Sequence, residues 1–350
     1  MTTSPKTTIN IIDLTDQVLA VLDARSRDVI SRRYGIKNGQ SETLEGIGKD
    51  YGITRERVRQ IQSQAKRALV DLADLMGPVT ELYAEVFKQH GGILSEAEAT
   101  RLIAERFEQE LPHTAYVTFY LDILPPYRYV TRSDHFDPHW LHPELVAPEA
   151  ETVVAGAQTI LRRKKHPLDQ AMLFEAIRVE LAASEQTLPD EYLYARLMAS
   201  KPVKRSAFGE WGLSDWAETS PRGVGDKAYA ILRRHGKPEH FTAICEMINE
   251  AAFDHKQANP QTVHNELIKD ERFVLVGRGL YGLVDWGFIS GTVADVIESL
   301  LAKADKPLSR EEVIKQVLAQ RQVKKNTILL GLQNPKRFVR TEGDSYTLRS

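Results

Sequence analysis

Residues 42–69, ETLEGIGKDYGITRERVRQIQSQAKRAL, read as a short helix, a glycine turn and a second, arginine-studded helix. A chain uses this arrangement to put side chains into a DNA major groove. Thr43 can cap a helix running to about Tyr51, Gly52 supplies the positive φ of a tight turn, and Thr54 can cap the helix that follows. On that second helix Val58, Ile61, Ala65, Ala68 and Leu72 recur at helical spacing and are expected to face inward. The outward stripe is then Arg55, Glu56, Arg59, Gln60 and Ser63. Arg suits guanine, Glu can accept from cytosine, and Gln suits adenine.

The longer stretch from Leu22 to Leu69, LDARSRDVISRRYGI followed by TLEGIGKDYGITRERVRQIQSQAKRAL, resembles region 4 of the sigma-70-type bacterial sigma factors. In that family the segment recognises a promoter element and docks on the flap of the RNA polymerase beta subunit. The resemblance implies base-reading roles for Arg55, Glu56 and Gln60. It implies DNA-backbone roles for Arg25 and Arg59, with Thr54 and Arg57 beside them. Gly46 stands where the family usually carries an acidic residue, which removes a charge from the first turn of the helix.

Charge supports a nucleic-acid face in this part of the chain. Residues 23–69 hold eleven Lys and Arg against six Asp and Glu, a balance of +5, whereas residues 79–151 hold five against thirteen. The formal net charge of −2 therefore hides two oppositely charged sections, of which the first suits phosphate. Residues 152–293 balance at eighteen each, and residues 294–350 return to eleven against seven, so a second, weaker DNA-facing surface is expected at the C-terminal end.

After residue 78 the chain repeats itself with a period near 70 residues. HGKPEHFTAICEMI, ADKPLSREEVIKQVL and KKHPLDQAMLFEAI share a helical apolar period after Pro238, Pro307 and Pro167. Downstream, Phe273, Tyr281 and Leu283 are spaced like Phe338, Tyr346 and Leu348, and like Val203, Trp211 and Leu213. A fainter copy starts at GGILSEAEATRLI and ends around YRYVTRSDHFDPHW. In the clearest copy, three helices precede two strands flanking Gly277, Arg278 and Gly279, read as a three-residue hairpin loop. Three helices and a hairpin make a winged helix, with Phe241, Ile244, Leu267, Phe273 and Leu283 as its core. The phrase RFVLVGRGLYGLVDWGF resembles the HARE-HTH domain, the winged-helix module at the front of the delta subunit of bacterial RNA polymerase and fused to several restriction and chromatin proteins.

The expected architecture is mainly α with small β wings: a disordered lead over 1–12, a helix-turn-helix over 13–76, and winged helices over 79–146, 152–218, 224–289 and 292–350. Trp211, Trp216, Tyr281 and Trp286 read as core and wing-packing residues. In the last copy Lys324 and Lys325 open the third helix and Lys336, Arg337 and Arg340 fall at the wing, a second set of candidate phosphate contacts. The third helix of the clearest copy carries mixed charge, which favours protein contact there. The lone Cys245 sits on an apolar helical pattern and reads as a buried thiol; with no disulfide framework, it fits a reducing cytoplasm. His235 and His240 read as surface residues.

No HExxH, zinc-spaced Cys/His set, serine elbow or phosphate loop stands in the chain, so no enzyme, metal or cofactor is expected. The expected partners are promoter-like double-stranded DNA and bacterial RNA polymerase, its beta flap by resemblance, with no membrane and no small-molecule substrate. The first ten residues lack the apolar core of a signal peptide, and the expected place is the cytoplasm, with the nucleoid. No run resembles a region that melts promoter DNA, so the chain is incomplete as a sigma factor. Two alternatives stand beside a transcription regulator: a delta-like polymerase accessory subunit without base readout, and a DNA sensor tied to a nuclease system.

Overall fold

The computed structural model describes residues 8–72, 74–108, 113–146, 150–181, 188–341 and 343–349. The chain forms two compact units, Met1–Lys204 and Arg205–Ser350. Among the described residues no helix is long and apolar enough to cross a membrane.

The first unit opens with four helices, α1 (Ile11–Ala20), α2 (Ala24–Tyr34), α3 (Leu44–Tyr51) and α4 (Arg55–Val70). Each starts on a side-chain cap. Asn10 accepts from the Asp13 amide, Asp23 from those of Arg25 and Ser26, Thr43 from Gly46 and Thr54 from Arg57. Gly52, at φ +64°, closes α3. Val29, Ile47, Val58 and Ile61 form a small core where α2, α3 and α4 meet. Gly48 makes the turn between α3 and α4 fit, since a Cβ there would come within 2.7 Å of the Ile53 carbonyl oxygen. On α4 the inward row ends differently from the periodic reading. Leu69 is fully buried, Ala68 is exposed and Leu72 is half-buried, because the last turn of α4 rotates toward a larger core.

That larger core joins the four helices to the first repeat. The repeat runs α5 (Gly77–Gln89), β1 (Ile93–Ser95), α6 (Glu96–Ala104), α7 (His113–Ile123), β2 (Arg128–Val130) and β3 (His139–Leu141), with sheet order β1-β3-β2. The third helix, α7, is apolar on nearly every side; Tyr116, Val117, Phe119, Tyr120, Leu121 and Ile123 are all buried. A helix apolar all round must be covered all round, and α2 and α4 supply the second cover. Tyr34 meets Phe119 edge-on with ring centroids 5.3 Å apart, Thr15 and Tyr120 share a 3.2 Å hydrogen bond, and Tyr116 donates to the Ile36 carbonyl. Asp122 accepts from Tyr34 Oη and pairs with Lys66 at 2.5 Å. Burial and the Asp122 carboxylate beside it hold the Tyr34 phenol well above its usual pKa, so it stays a donor. At the chain's start Ile9 forms a parallel bridge with Phe107, and Ile11 is fully buried. The expected disordered lead over 1–12 is thus corrected for residues 8–12, whose apolar side chains are core; residues 1–7 lie outside the described residues.

The second repeat has helices α8 (Ala150–Lys164), α9 (Gln170–Glu180) and α10 (Asp190–Ala199) and strands β4 (Val203–Arg205) and β5 (Trp211–Leu213). The division between the two units falls inside β4. On α10, Arg196 is fully buried; its guanidinium donates to the carbonyls of Gly91 and Ile93 and stacks 4.7 Å over Tyr192. It thereby ties α10 to the HGG turn at the end of α5.

The second unit contains two further copies of one plan. The third repeat is α11 (Val224–His235), β6 (Glu239–His240), α12 (Phe241–Ala251), α13 (Pro260–Lys269), β7 (Phe273–Gly277) and β8 (Leu280–Leu283). The fourth is α14 (Val293–Ala302), β9 (Leu308–Ser309), α15 (Arg310–Gln320), α16 (Lys325–Leu332), β10 (Phe338–Thr341) and β11 (Ser345–Leu348). The sheet orders β6-β8-β7 and β9-β11-β10 match that of the first repeat, and Phe273 faces Leu283 as Phe338 faces Leu348. These are helix-turn-helix and winged-helix folds, mainly α with small antiparallel wings. Trp211 and Tyr281 are buried, and Cys245 is a core thiol whose pKa burial pushes up.

Two sequence readings need correction here. The hairpin loop after Phe273 is two residues long, Arg278 and Gly279, because Gly277 stays in the strand and pairs with Leu280; only Gly279 has positive φ, at +71°. His235 and His240 are half-buried rather than surface residues. His235 contacts Glu239 at 3.2 Å, while the His240 ring caps α12 at the Thr242 amide.

Two stability outcomes are expected. Gly48→Ala should cost about 1–3 kcal/mol, since backbone on the far side of the turn cannot yield as a side chain would; chemical denaturation measures it, and an unchanged midpoint would refute the close-approach argument. Tyr120→Ala should cost about 3–5 kcal/mol. In hydrogen exchange it should release α1 and α2 together with α7, whereas loss of protection in α7 alone would contradict a shared core.

Candidate nucleic-acid interface

The first two turns of α4 project from the helix-turn-helix with Arg55, Glu56, Arg57, Arg59 and Gln60 all exposed. Val58 and Ile61, between and after them, anchor the helix from beneath. The exposed residues therefore share one rigid face. Thr54 uses its hydroxyl oxygen to cap α4, accepting from Arg57 N at 3.2 Å, so its O–H remains a donor for an incoming acceptor.

The stripe is already hydrogen-bonded within itself. Arg59 grips Glu56 with two hydrogen bonds, at 2.9 and 2.7 Å, and Arg57 donates to Gln60 Oε1 at 3.1 Å. The Arg59 hydrogen bonds hold the Glu56 carboxyl below its usual range and push the Arg59 guanidinium up. Arg55 has no ion pair among the described residues. Arg25, one helix away, is exposed and lies 4.9 Å over the Tyr51 ring, which fixes its stem and leaves its donors free.

The charge count overstates what DNA can meet. Arg27 is spent on the carbonyls of Leu19, Ala20 and Leu22 at the end of α1, and Arg32 on Glu42 and Asp50. Arg33 donates to the Glu42 carbonyl, and Lys66 pairs with Asp122. These four cations build the module, a role that a sequence-level count of charge does not distinguish. The exposed basic residues of this segment are Arg25, Lys37, Lys49, Arg55, Arg57, Arg59 and Arg67.

In the last repeat Lys324 stands at the N-cap of α16 and Lys325 opens it; both are exposed. Lys336 is exposed in the turn before β10. Arg337 departs from its expected role. It pairs with Asp295 at 2.5 Å and Glu298 at 3.2 Å on α14, so it is a structural bridge rather than a free phosphate contact. Arg340 likewise pairs with Asp344 across the wing. Sequence reading misses Asp295 and Glu298 as partners because they lie some forty residues upstream.

Comparison with known proteins agrees with this geometry by segment. Residues 18–70 match the family described as Sigma-70, region 4, and residues 224–286 match the HARE-HTH family, described as an ASXL and restriction endonuclease HTH domain. The chain is 41% identical over 80 residues to the RNA polymerase sigma factor RpoS of Coxiella burnetii, covering 22% of this chain and 23% of that protein. It is 50% identical over 52 residues to RNA polymerase sigma factor SigA1 of Synechococcus elongatus, covering 15% and 13%. With RNA polymerase principal sigma factor HrdD of Streptomyces coelicolor the identity is 45% over 60 residues, 17% of each chain. The chain thus spans less than a quarter of the length of these relatives.

The Glu56–Arg59 pair gives a testable consequence. Glu56→Ala should free Arg59 for phosphate, tightening binding to random-sequence duplex and steepening its salt dependence by about 0.9 log unit per log unit of salt for one added phosphate. A fluorescence titration at two salt concentrations checks this, and weaker binding to random duplex would show that Glu56 is not acting as a restraint.

Proposed function

We propose that this chain is a non-enzymatic, DNA-binding transcription regulator associated with bacterial RNA polymerase, acting in the cytoplasm at the nucleoid. It reads promoter-like duplex through α4 and is incomplete as a sigma factor. The observation that carries this reading is the rigid, exposed stripe on the first two turns of α4, in a segment similar to proteins named as RNA polymerase sigma factors. Arg55, Glu56 and Gln60 meet base edges; Arg25, Thr54, Arg57 and Arg59 meet the DNA backbone. On binding, Arg59 releases Glu56 and Arg57 releases Gln60, exchanging exposed pairs of small individual worth for charge-assisted contacts with DNA. The beta flap of polymerase is the expected protein partner of the same module.

A second reading is a delta-like accessory subunit that grips polymerase and reads no bases. The internal pairing of Glu56 and Gln60 favours it, since both acceptors already have donors. A DNA sensor tied to a nuclease system is a third, suggested by the family name that residues 224–286 match.

Selection of binding sites from random duplexes with the full chain separates these readings. Base readout predicts an enriched motif, and Arg55→Ala should then relax one position and weaken the selected site by roughly 1–3 kcal/mol. Arg25→Ala should weaken all sequences alike. Enrichment of no motif, with polymerase still co-purifying from a bacterial extract, would transfer the assignment to the accessory subunit.

A further inference from the structure

The third and fourth repeats meet through their most basic exposed ends. Gln322, between α15 and α16, donates its backbone amide to the Val276 carbonyl at 2.7 Å and forms a parallel bridge with Gly277. The contact pins the β7–β8 turn, which carries Arg278, beside the segment that opens α16. It needs glycine at 277, since a Cβ would lie 3.0 Å from the Gln322 carbonyl oxygen. A cleft of about 260 Å³ follows the junction, lined among others by Arg278, Thr292, Arg321 and Val323.

The cations around this cleft are unevenly committed. Arg321 is 5% exposed and gives Nη2 to the carbonyls of Ile289 and Gly291, both at 2.7 Å, while its buried Nε has no partner. Arg278, Lys324 and Lys325 are exposed, and no carboxylate lies within ion-pairing distance of them among the described residues. The junction's acids are already neutralised. Asp295 closes the capping box of α14 with Thr292 and pairs with Arg337, which also takes Glu298. The N-terminus of α16, by contrast, has no side-chain cap, which leaves the positive end of the helix open to an anion.

We propose that Arg278 of the third repeat and Lys324 and Lys325 of the fourth form one composite seat for the phosphate backbone of duplex DNA, with Arg321 behind it. Neither repeat has this seat alone. The third repeat, whose third helix lacks a basic stripe, contributes through its wing tip. Duplex fits better than a free phosphate because the cations sit on two rigid elements, and α16 beside them exposes Asn326 and Thr327 for backbone or base-edge contacts. The inference rests on reading the chain as DNA-binding, but on a surface separate from α4.

The test uses the full chain and a labelled random-sequence duplex, in a background of Arg55→Ala with Arg57→Ala that disables α4. Residual binding is expected there, and adding Arg278→Ala, Lys324→Ala and Lys325→Ala should weaken it about tenfold or more and flatten its salt slope by about 0.9 for each phosphate no longer neutralised. Arg278→Ala alone and Lys324→Ala alone should each weaken it. Absence of residual binding in the α4-disabled chain would overturn this seat while leaving the α4 reading intact. Residual binding that the triple variant leaves unchanged, or that inorganic phosphate displaces at equimolar level, would also overturn it. A loss on the lysine variants with none on Arg278→Ala would overturn its composite nature.

Discussion

The burial of α7 is the constraint on which the first unit depends. A helix carrying Tyr116, Val117, Phe119, Tyr120, Leu121 and Ile123 cannot leave a face in water without losing roughly 1.5–3 kcal/mol for each large apolar side chain exposed. Its own repeat covers one side, and α2 and α4 cover another. In a winged helix the third helix is the element offered to a DNA groove, but in the first repeat it is spent on packing. The helix-turn-helix is held by this contact, so α4 is presented from a scaffold larger than its own three helices.

Electrostatics follow the same division between building and display. Arg27, Arg32, Arg33 and Lys66 satisfy carbonyls and carboxylates within the module, leaving a smaller exposed set around α4. Within that set, Glu56 with Arg59 and Gln60 with Arg57 are paired before any ligand arrives. Exposed pairs of this kind are individually weak. They hold the long side chains near the helix and reduce what must be ordered on binding, while giving way readily to a phosphate or base edge.

The repeats show how one plan takes different tasks. Three copies share a sheet order and two share the Phe–Leu wing register, yet their exposed residues differ: α7 is buried, α13 displays Gln261, Thr262 and Asn265, and α16 displays lysines. Core positions are fixed by period and spacing, so Phe273 with Leu283 and Phe338 with Leu348 are legible in the sequence. The short strands β1, β6 and β9 are not, because two or three residues hold too little alternation to register as a strand. Gly277 reads as a turn glycine, although the reason for glycine there is Gln322, far downstream in the chain.

The sequence alone determined the local architecture of the helix-turn-helix. Thr43, Gly52, Thr54 and the Val58–Ile61 spacing act over distances shorter than about ten residues, where caps and periodicity operate. It also determined which side chains α4 exposes, since the buried positions leave the others no choice. Tertiary structure decided which charges are available, turning Arg337 from a candidate phosphate contact into a bridge to Asp295 and Glu298 and drawing Lys66 to Asp122. It decided as well that α7 is a packing helix and that Arg278 lies beside the start of α16. Those outcomes depend on partners tens of residues apart, and neither composition nor period carries that information.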